Sequence, residues 1–240
     1  LVAAAAKLID GVRRRRPEIH ALTSPVAQVL TANAALAIGA EPSLSIGPGE
    51  AQAMAERADA GLINVGMLDE ERKAAMEDCA AIFARRQIPW VLDPVKIERS
   101  PPRMAFCQDL VDENPSILRC NQSEAAVLDI DAIVSLGVVA AITGATDDLR
   151  SHDMRVSISA GHPLMARTTA IGCASGAVLA AFAATAPDEP FMAAAAALMA
   201  VGVAGERAAA KAGGPGTFPA LFIDSLAELD GAAIADRSSH

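Results

Sequence analysis

Along the chain, short apolar runs alternate with stretches whose apolar residues recur every three or four positions. Residues 60–68 (AGLINVGML) are nearly all apolar and read as a buried strand. The next stretch, residues 69–87, puts Ala75, Met76, Cys79, Ile82 and Phe83 on one helical face, with Asp69 at the N-cap position. Residues 88–95 (IPWVLDPV), 116–128 (SILRCNQSEAAVL) and 137–148 (GVVAAITGATDD) repeat the theme, each an apolar run ending in polar or Gly/Pro residues. Such a series of βα units predicts an α/β fold, with a mainly parallel central sheet and helices on both faces. From Ala170 onward the pattern changes to Ala-rich helices, near 172–184 and 189–212. Gly213, Gly214, Pro215 and Gly216 stop the second of these, and a last helix runs near 217–230. With no repeat and no low-complexity linker, residues 1–240 read as one domain.

Composition narrows the partners. The chain has 240 residues, 52% of them hydrophobic, without a run of 18 uninterrupted apolar residues, so no membrane span is predicted. Twenty basic against 29 acidic residues give a net charge of -9, which argues against nucleic acid or an anionic membrane as partner. Any phosphate chemistry must then be local. Aromatics are only 3%, so the core must come from close packing of Ala, Val, Leu and Ile, which suits helices pressed on a sheet. Four widely spaced cysteines contain no C-x-x-C pair, consistent with a reduced, cytoplasmic setting. The opening LVAAAAKLIDGVRRRRP places apolar before basic residues, the reverse of a secretory signal. It reads as a first helix ending in a solvated basic turn, and the final DRSSH as a frayed tail.

Open α/β sheets bind ligands beyond the carboxyl ends of their strands. Asp93, Asn121 with Glu124, and Thr143 with Gly144 all fall at such ends. Asp93 suits a Mg²⁺ that keeps most of its waters and meets phosphates, or equally a turn before Pro94. In NQSE, Asn121 and Glu124 form a candidate capping box. Arg119 interrupts an apolar run near its end, where its fork can reach a phosphate or a surface carboxylate. Gly172 and Cys173 open a helix whose N–H groups and dipole favour an anion. That field lowers a thiol pKa and makes Cys173 a candidate for proton transfer, against the alternative of a packed small hydrophobe. His20 is a candidate substrate contact or a satisfied structural residue, and His152 and His162 lack metal-ligand spacing. There is no G-x-x-x-x-G-K-[ST], G-x-G-x-x-G or G-x-S-x-G motif.

Seven segments, in this order, carry a wider resemblance: EIHALTSPVAQVLTANAALAIGAEPSL, ADAGLINVGMLDEE, IPWVLDPV, LRCNQSE, VVAAITGATD, GHPLMARTTAIGC and GGPGTF. Across about residues 8–229 the chain resembles the bacterial hydroxyethylthiazole kinase family. The resemblance implies a ribokinase-like fold and a homotrimer with the thiazole pocket between subunits. The activity implied is ATP-dependent phosphorylation of the hydroxyethyl group of 4-methyl-5-(2-hydroxyethyl)thiazole, in thiamine salvage. It places Asp93 and Glu124 at Mg²⁺-associated positions, Arg119 and Thr143 at ATP contacts, and Gly172 and Cys173 in the catalytic turn. Thr23, Leu44 and Ala170 fall on the substrate side.

The departures set expectations of their own. HALTS replaces H-N-I-T-N, removing two amides at Ala21 and Ser24, and Leu44 stands where Met is the pattern. The turn after Asp93 reads PVKIE where the family places glycines, and G-T-G-C has become Ala170-Ile171-Gly172-Cys173. Ala and Ile resist the positive φ that glycine allows, so a reshaped anion turn is expected. The segment between Glu124 and AAITG is short, on the nucleotide side. Two alternatives to the thiazole kinase follow: a ligand-binding member that has lost efficient catalysis, and a kinase of another small alcohol.

Overall fold

The apolar runs become the inner strands of a single eight-stranded sheet in a computed structural model that describes residues 2–235. Helix α1 (Val2–Arg15) leads into β1 (Glu18–Leu22), α2 (Gln28–Ala37), β2 (Glu41–Leu44) and α3 (Pro48–Ala55). Next come β3 (Ala60–Asn64), α4 (Glu70–Arg86), β4 (Trp90–Asp93), α5 (Pro101–Asp112) and β5 (Ile117–Asn121). Two short helices, α6 (Gln122–Ala125) and α7 (Ile130–Ser135), precede β6 (Val139–Thr143), β7 (Asp147–Arg150) and β8 (Arg155–Ile158). Helices α8 (Ile171–Thr185), α9 (Pro190–Lys211), α10 (Phe218–Glu228) and α11 (Gly231–Ala235) complete the described chain.

The strand order is β2-β1-β3-β4-β5-β6-β7-β8. Pairing is parallel from β2 through β6 and antiparallel from β6 to β8. Alternate residues of each strand enter different cores, as the pleat requires. Leu62, Val91, Ile117 and Val139 pack with the Ala-rich α8 and α9. Ile63, Leu92, Leu118 and Ala140 pack on the opposite face with α4, α5 and α7. The chain therefore has helices on both faces, and near-continuous apolar strands are the consequence. α9 is long and apolar enough to cross a membrane, but most of it is buried in the fold.

Three elements differ from the sequence reading. Residues 137–148 do not open another βα unit: β6 turns directly into the antiparallel β7 and β8. The cause is visible in the half-exposed alternation of β7 and β8, which a doubly covered strand lacks. The apolar run 60–68 stops as a strand at Asn64, because the chain turns at Gly66 and Met67, the latter with φ 55°. The arginines ending α1 are not simply solvated: Arg13 donates to the Ala227 carbonyl, Arg15 to that of Thr185, and Arg16 pairs with Glu41. By contrast Asp69 caps α4 as expected, accepting from the Arg72 N–H at 2.8 Å. The DRSSH tail lies outside the described residues.

His20 resolves as a structural residue. It is fully buried on β1, with its ring nitrogens 2.9 Å from the Ser43 hydroxyl and 3.1 Å from that of Ser45. Burial pushes its pKa down to about 4, a hydrogen bond to Ser43 opposing. The unfolded chain takes up this proton near pH 6.5 and the folded one only near pH 4, so stability present above pH 6.5 is lost as pH falls between them. A shift of this size corresponds to about 3 kcal/mol. Replacing His20 by Gln is expected to remove that part of the acid sensitivity. Thermal unfolding of both proteins at pH 7 and pH 4.5 measures it, and equal losses in the two would contradict the assignment.

Candidate active site

Parallel register brings the polar ends of four strands level. Asn64 of β3 pairs with Asp93 of β4, and Asn121 of β5 with Thr143 of β6. The N-terminus of α8 lies across this edge. The ends of β5 and β6 and the start of α8 border a cleft of about 430 Å³ lined by Arg119, Glu124, Thr143, Asp147, Ala170, Gly172 and Cys173, among others. Six of the sequence-derived positions thus share one site: Arg119, Glu124, Thr143, Ala170, Gly172 and Cys173 line the cleft. Asp93 sits fully buried beneath, 3.4 Å from Arg119. Thr23 is buried beside the Cys173 sulfur without a hydrogen bond of normal geometry. Leu44 ends the edge strand β2, half-buried against the α-helical core and away from the cleft lining. Ala21 points into that core.

Arg119 is the centre of the charge arrangement. One of its terminal nitrogens faces Asp93 Oδ1 at 3.4 Å, and the other donates to Thr143 Oγ1 at 2.9 Å. Its Nε is buried without a partner, leaving donor capacity. Burial opposes its charge, but Asp93 and Glu124 outweigh that and hold its pKa above the ordinary value. Gly172 makes this placement possible: a Cβ there would lie 2.7 Å from the guanidinium. The guanidinium and the N–H groups opening α8, which no side chain caps, converge on one region suited to phosphate.

The carboxylates are short of compensating charge. Asp93 is wholly buried, and burial raises its pKa, with Glu124 adding and Arg119 and Asn64 opposing. Glu124 and Asp147 are also buried, and burial raises Asp147 as well. Three buried carboxylates therefore face one largely buried arginine. Glu124 closes the capping box, accepting from the Asn121 N–H at 2.8 Å, and its other oxygen accepts from the Lys96 N–H at 2.9 Å. Its structural and candidate metal roles coexist, since each oxygen retains a lone pair. No group of three or more His, Cys, Asp or Glu side chains converges on one point among the described residues. Asp93 and Glu124 could then hold a Mg²⁺ only with waters and phosphate oxygens supplying most of its ligands.

The two turns keep the geometry of glycine without glycine. Ala170 adopts φ 66° at the N-cap of α8, and Lys96 φ 60° after β4. Ile171 is buried in the core cluster and also borders the cleft. The turn is strained rather than lost. The Lys96 ammonium faces Glu98 at 3.9 Å and is half-exposed.

The expected lowering of the Cys173 pKa does not occur. Burial pushes the thiol up to about 12, Asp93 adding, and Arg119 and Asn64 only partly oppose. Desolvation beside a carboxylate outweighs the helix N-terminus, so Cys173 is a neutral thiol at pH 7. Two residues of the site are absent from the sequence reading, Asn64 and Asp147. Asn64 occupies the same strand-end position as Asp93, a signal available in AGLINVG. Asp147 closes the turn after β6 by accepting from the Gly144 N–H at 2.9 Å.

A mainly parallel α/β sheet with a phosphate-suited helix end over buried carboxylates defines a small-molecule kinase of ribokinase-like fold. The family model described as "Hydroxyethylthiazole kinase family" matches residues 9–138 and 125–231. A probable hydroxyethylthiazole kinase of Agrobacterium fabrum is 38% identical over 237 residues, 98% of this chain and 94% of the relative. The hydroxyethylthiazole kinase of Granulibacter bethesdensis is 38% identical, covering 96% and 92%. The solved structure of hydroxyethylthiazole kinase protein from Pyrococcus horikoshii superposes with a TM-score of 0.90 at 30% identity, covering 96% and 95% of the two chains. A putative ribokinase II from E. coli in complex with ATP and Mg²⁺ shares the fold alone, at TM-score 0.59 and 14% identity. The chain belongs to the hydroxyethylthiazole kinase family.

Two substitutions separate the roles in the α8 turn. Gly172→Ala is expected to displace the Arg119 guanidinium and weaken nucleotide binding about tenfold, the equivalent of roughly 1.4 kcal/mol. Ala170→Gly relieves left-handed strain and is expected to raise stability by roughly 1 kcal/mol with nucleotide binding retained. Calorimetric titration and thermal unfolding check both.

Proposed function

We propose that the protein phosphorylates the hydroxyl of 4-methyl-5-(2-hydroxyethyl)thiazole from ATP with Mg²⁺, in thiamine salvage. The observation that carries the reading is the Arg119 network, joined to Asp93 and Thr143 and pressed against Gly172 at the open end of α8. Arg119, Thr143 and the N–H groups of Ile171, Gly172 and Cys173 hold phosphate oxygens and receive the charge that develops on transfer. Asp93 and Glu124 hold Mg²⁺, directly or through water, and the ion when bound neutralises phosphate charge. Cys173, a neutral thiol bordering the cleft, lies beside the attacking hydroxyl. Thr23 and Ala170 shape the substrate side, Leu44 standing outside the lining of this cleft.

The left-handed turn at Ala170 supports an active kinase over a ligand-binding remnant, because the backbone adopts the positive φ that glycine would favour there. The buried Ser24, standing for an amide, favours a second reading in which the alcohol differs while the chemistry is the same. We also infer a cytoplasmic single-domain homotrimer. Val26, Val29 and Leu36 of the α2 region are 67%, 75% and 57% exposed, an apolar face suited to a neighbouring subunit. All four cysteines are free, in keeping with a reducing compartment.

Product formation from hydroxyethylthiazole and a panel of small heterocyclic alcohols tests the reading. The thiazole alcohol is expected to be the best substrate, with Asp93→Asn and Glu124→Gln each reducing turnover at least 100-fold in folded protein. Near-normal turnover in both variants removes the metal assignment, and no transfer to any alcohol removes the kinase reading.

A further inference from the structure

Asn64 is fully buried at the end of β3 and makes three contacts with one amide. Its Oδ1 accepts from the Gly66 N–H at 3.1 Å. Its Nδ2 donates to Asp93 Oδ2 at 2.6 Å and to the Cys173 sulfur at 3.1 Å. A backbone N–H can only donate, so the oxygen must face Gly66, and the amide cannot be reversed without breaking that bond. Both amide hydrogens are then committed, one to the carboxylate and one to the sulfur.

The turn that holds Asn64 is itself held. Arg72 of α4 is buried and donates to the Gly66 carbonyl at 2.6 Å, and also to the carbonyl of Met67. A Cβ on Gly66 would lie 2.9 Å from Asn64 Oδ1, so only glycine lets the turn close on the amide. A continuous set of hydrogen bonds thus runs from α4, through the turn, to Asp93 and Cys173. On the nucleotide side Arg119 meets this set only at Asp93, facing Oδ1 at 3.4 Å, the oxygen that Asn64 does not use.

We propose that Asn64 is a positioning residue for phosphoryl transfer, fixing the Asp93 carboxylate and the Cys173 thiol relative to each other. This rests on the reading that the cleft phosphorylates a small alcohol. Because Nδ2 donates to the sulfur, the thiol hydrogen is directed away from Asn64, and the sulfur is held at one place on the cleft wall. Phosphoryl transfer depends on such placement more than on covalent chemistry, so misplacement lowers turnover while leaving nucleotide affinity to Arg119 and α8.

Asn64→Asp keeps an oxygen for the Gly66 N–H, loses the donor to the Cys173 sulfur and sets a second carboxyl against Asp93, which it can meet only by sharing a proton. Asn64→Ser is smaller, adds no buried charge and cannot span to both partners, so it serves where Asn64→Asp fails to fold. In steady-state kinetics each folded variant is expected to lose about 100-fold in kcat, with KM for Mg-ATP and for the alcohol within about threefold of wild type. Wild-type kcat in a folded variant overturns the proposal, as does a loss expressed mainly as raised KM for Mg-ATP. Wild-type protein that transfers phosphate to no alcohol overturns the kinase reading and this proposal together, so the two failures are distinguishable.

Discussion

The site is organised by one buried guanidinium packed against a helix end that carries no side chain at the point of contact. Arg119 reaches Asp93 and Thr143 from a strand interior, and Gly172 leaves the space it occupies. Every other feature of the cleft follows from accommodating that charge in a largely buried position. The parallel register puts its partners level, the Ala-rich α8 brings its N-terminus close, and the carboxylates offset the desolvation of its charge. Small residues matter here for distance rather than flexibility, because Ala-rich faces let α8 approach the sheet closely.

One largely buried arginine facing three buried carboxylates is not electrically complete. Asp93 shows the imbalance, its pKa raised by burial and by Glu124 despite Arg119 beside it. On the proposed reading, a divalent cation arriving with a nucleotide would supply the missing charge, while the phosphates would meet Arg119 and the N–H groups of α8. Fixed dipoles and charges arranged before the substrate binds are the means by which such a site lowers a barrier. The same desolvation raises the Cys173 thiol and keeps it neutral, which limits it to orienting or hydrogen-bonding rather than acting as a thiolate.

Much of this was legible in the chain itself. The periodicity of residues 69–87 and the apolar runs around Leu92 and Leu118 gave helices and strands in their observed places, and Asp93 before Pro94 marked a strand tip. The hairpin after β6 was missed because an apolar run alone does not tell which partner it takes; only the polar alternation of residues 147–158 carries that information. Asn64 was missed for a different reason. Its strand-end position is visible in AGLINVG, but its role arises from contacts with Asp93 and Cys173, 29 and 109 residues away, which the local sequence does not record. The pKa of Cys173 was misread because the helix dipole is visible in sequence, whereas burial beside a carboxylate is not. At Ala170 the backbone kept a conformation that the residue type disfavours, since Ile171 in the core and Arg119 against Gly172 fix the turn from both sides.

The central claim is that the cleft carries an excess of buried negative charge that a divalent cation completes when nucleotide binds. Calorimetric titration of the wild-type protein with ATP, with and without Mg²⁺ at matched ionic strength, tests it most directly. The account predicts binding at least tenfold tighter with Mg²⁺. Equal or tighter binding of ATP in its absence would contradict it.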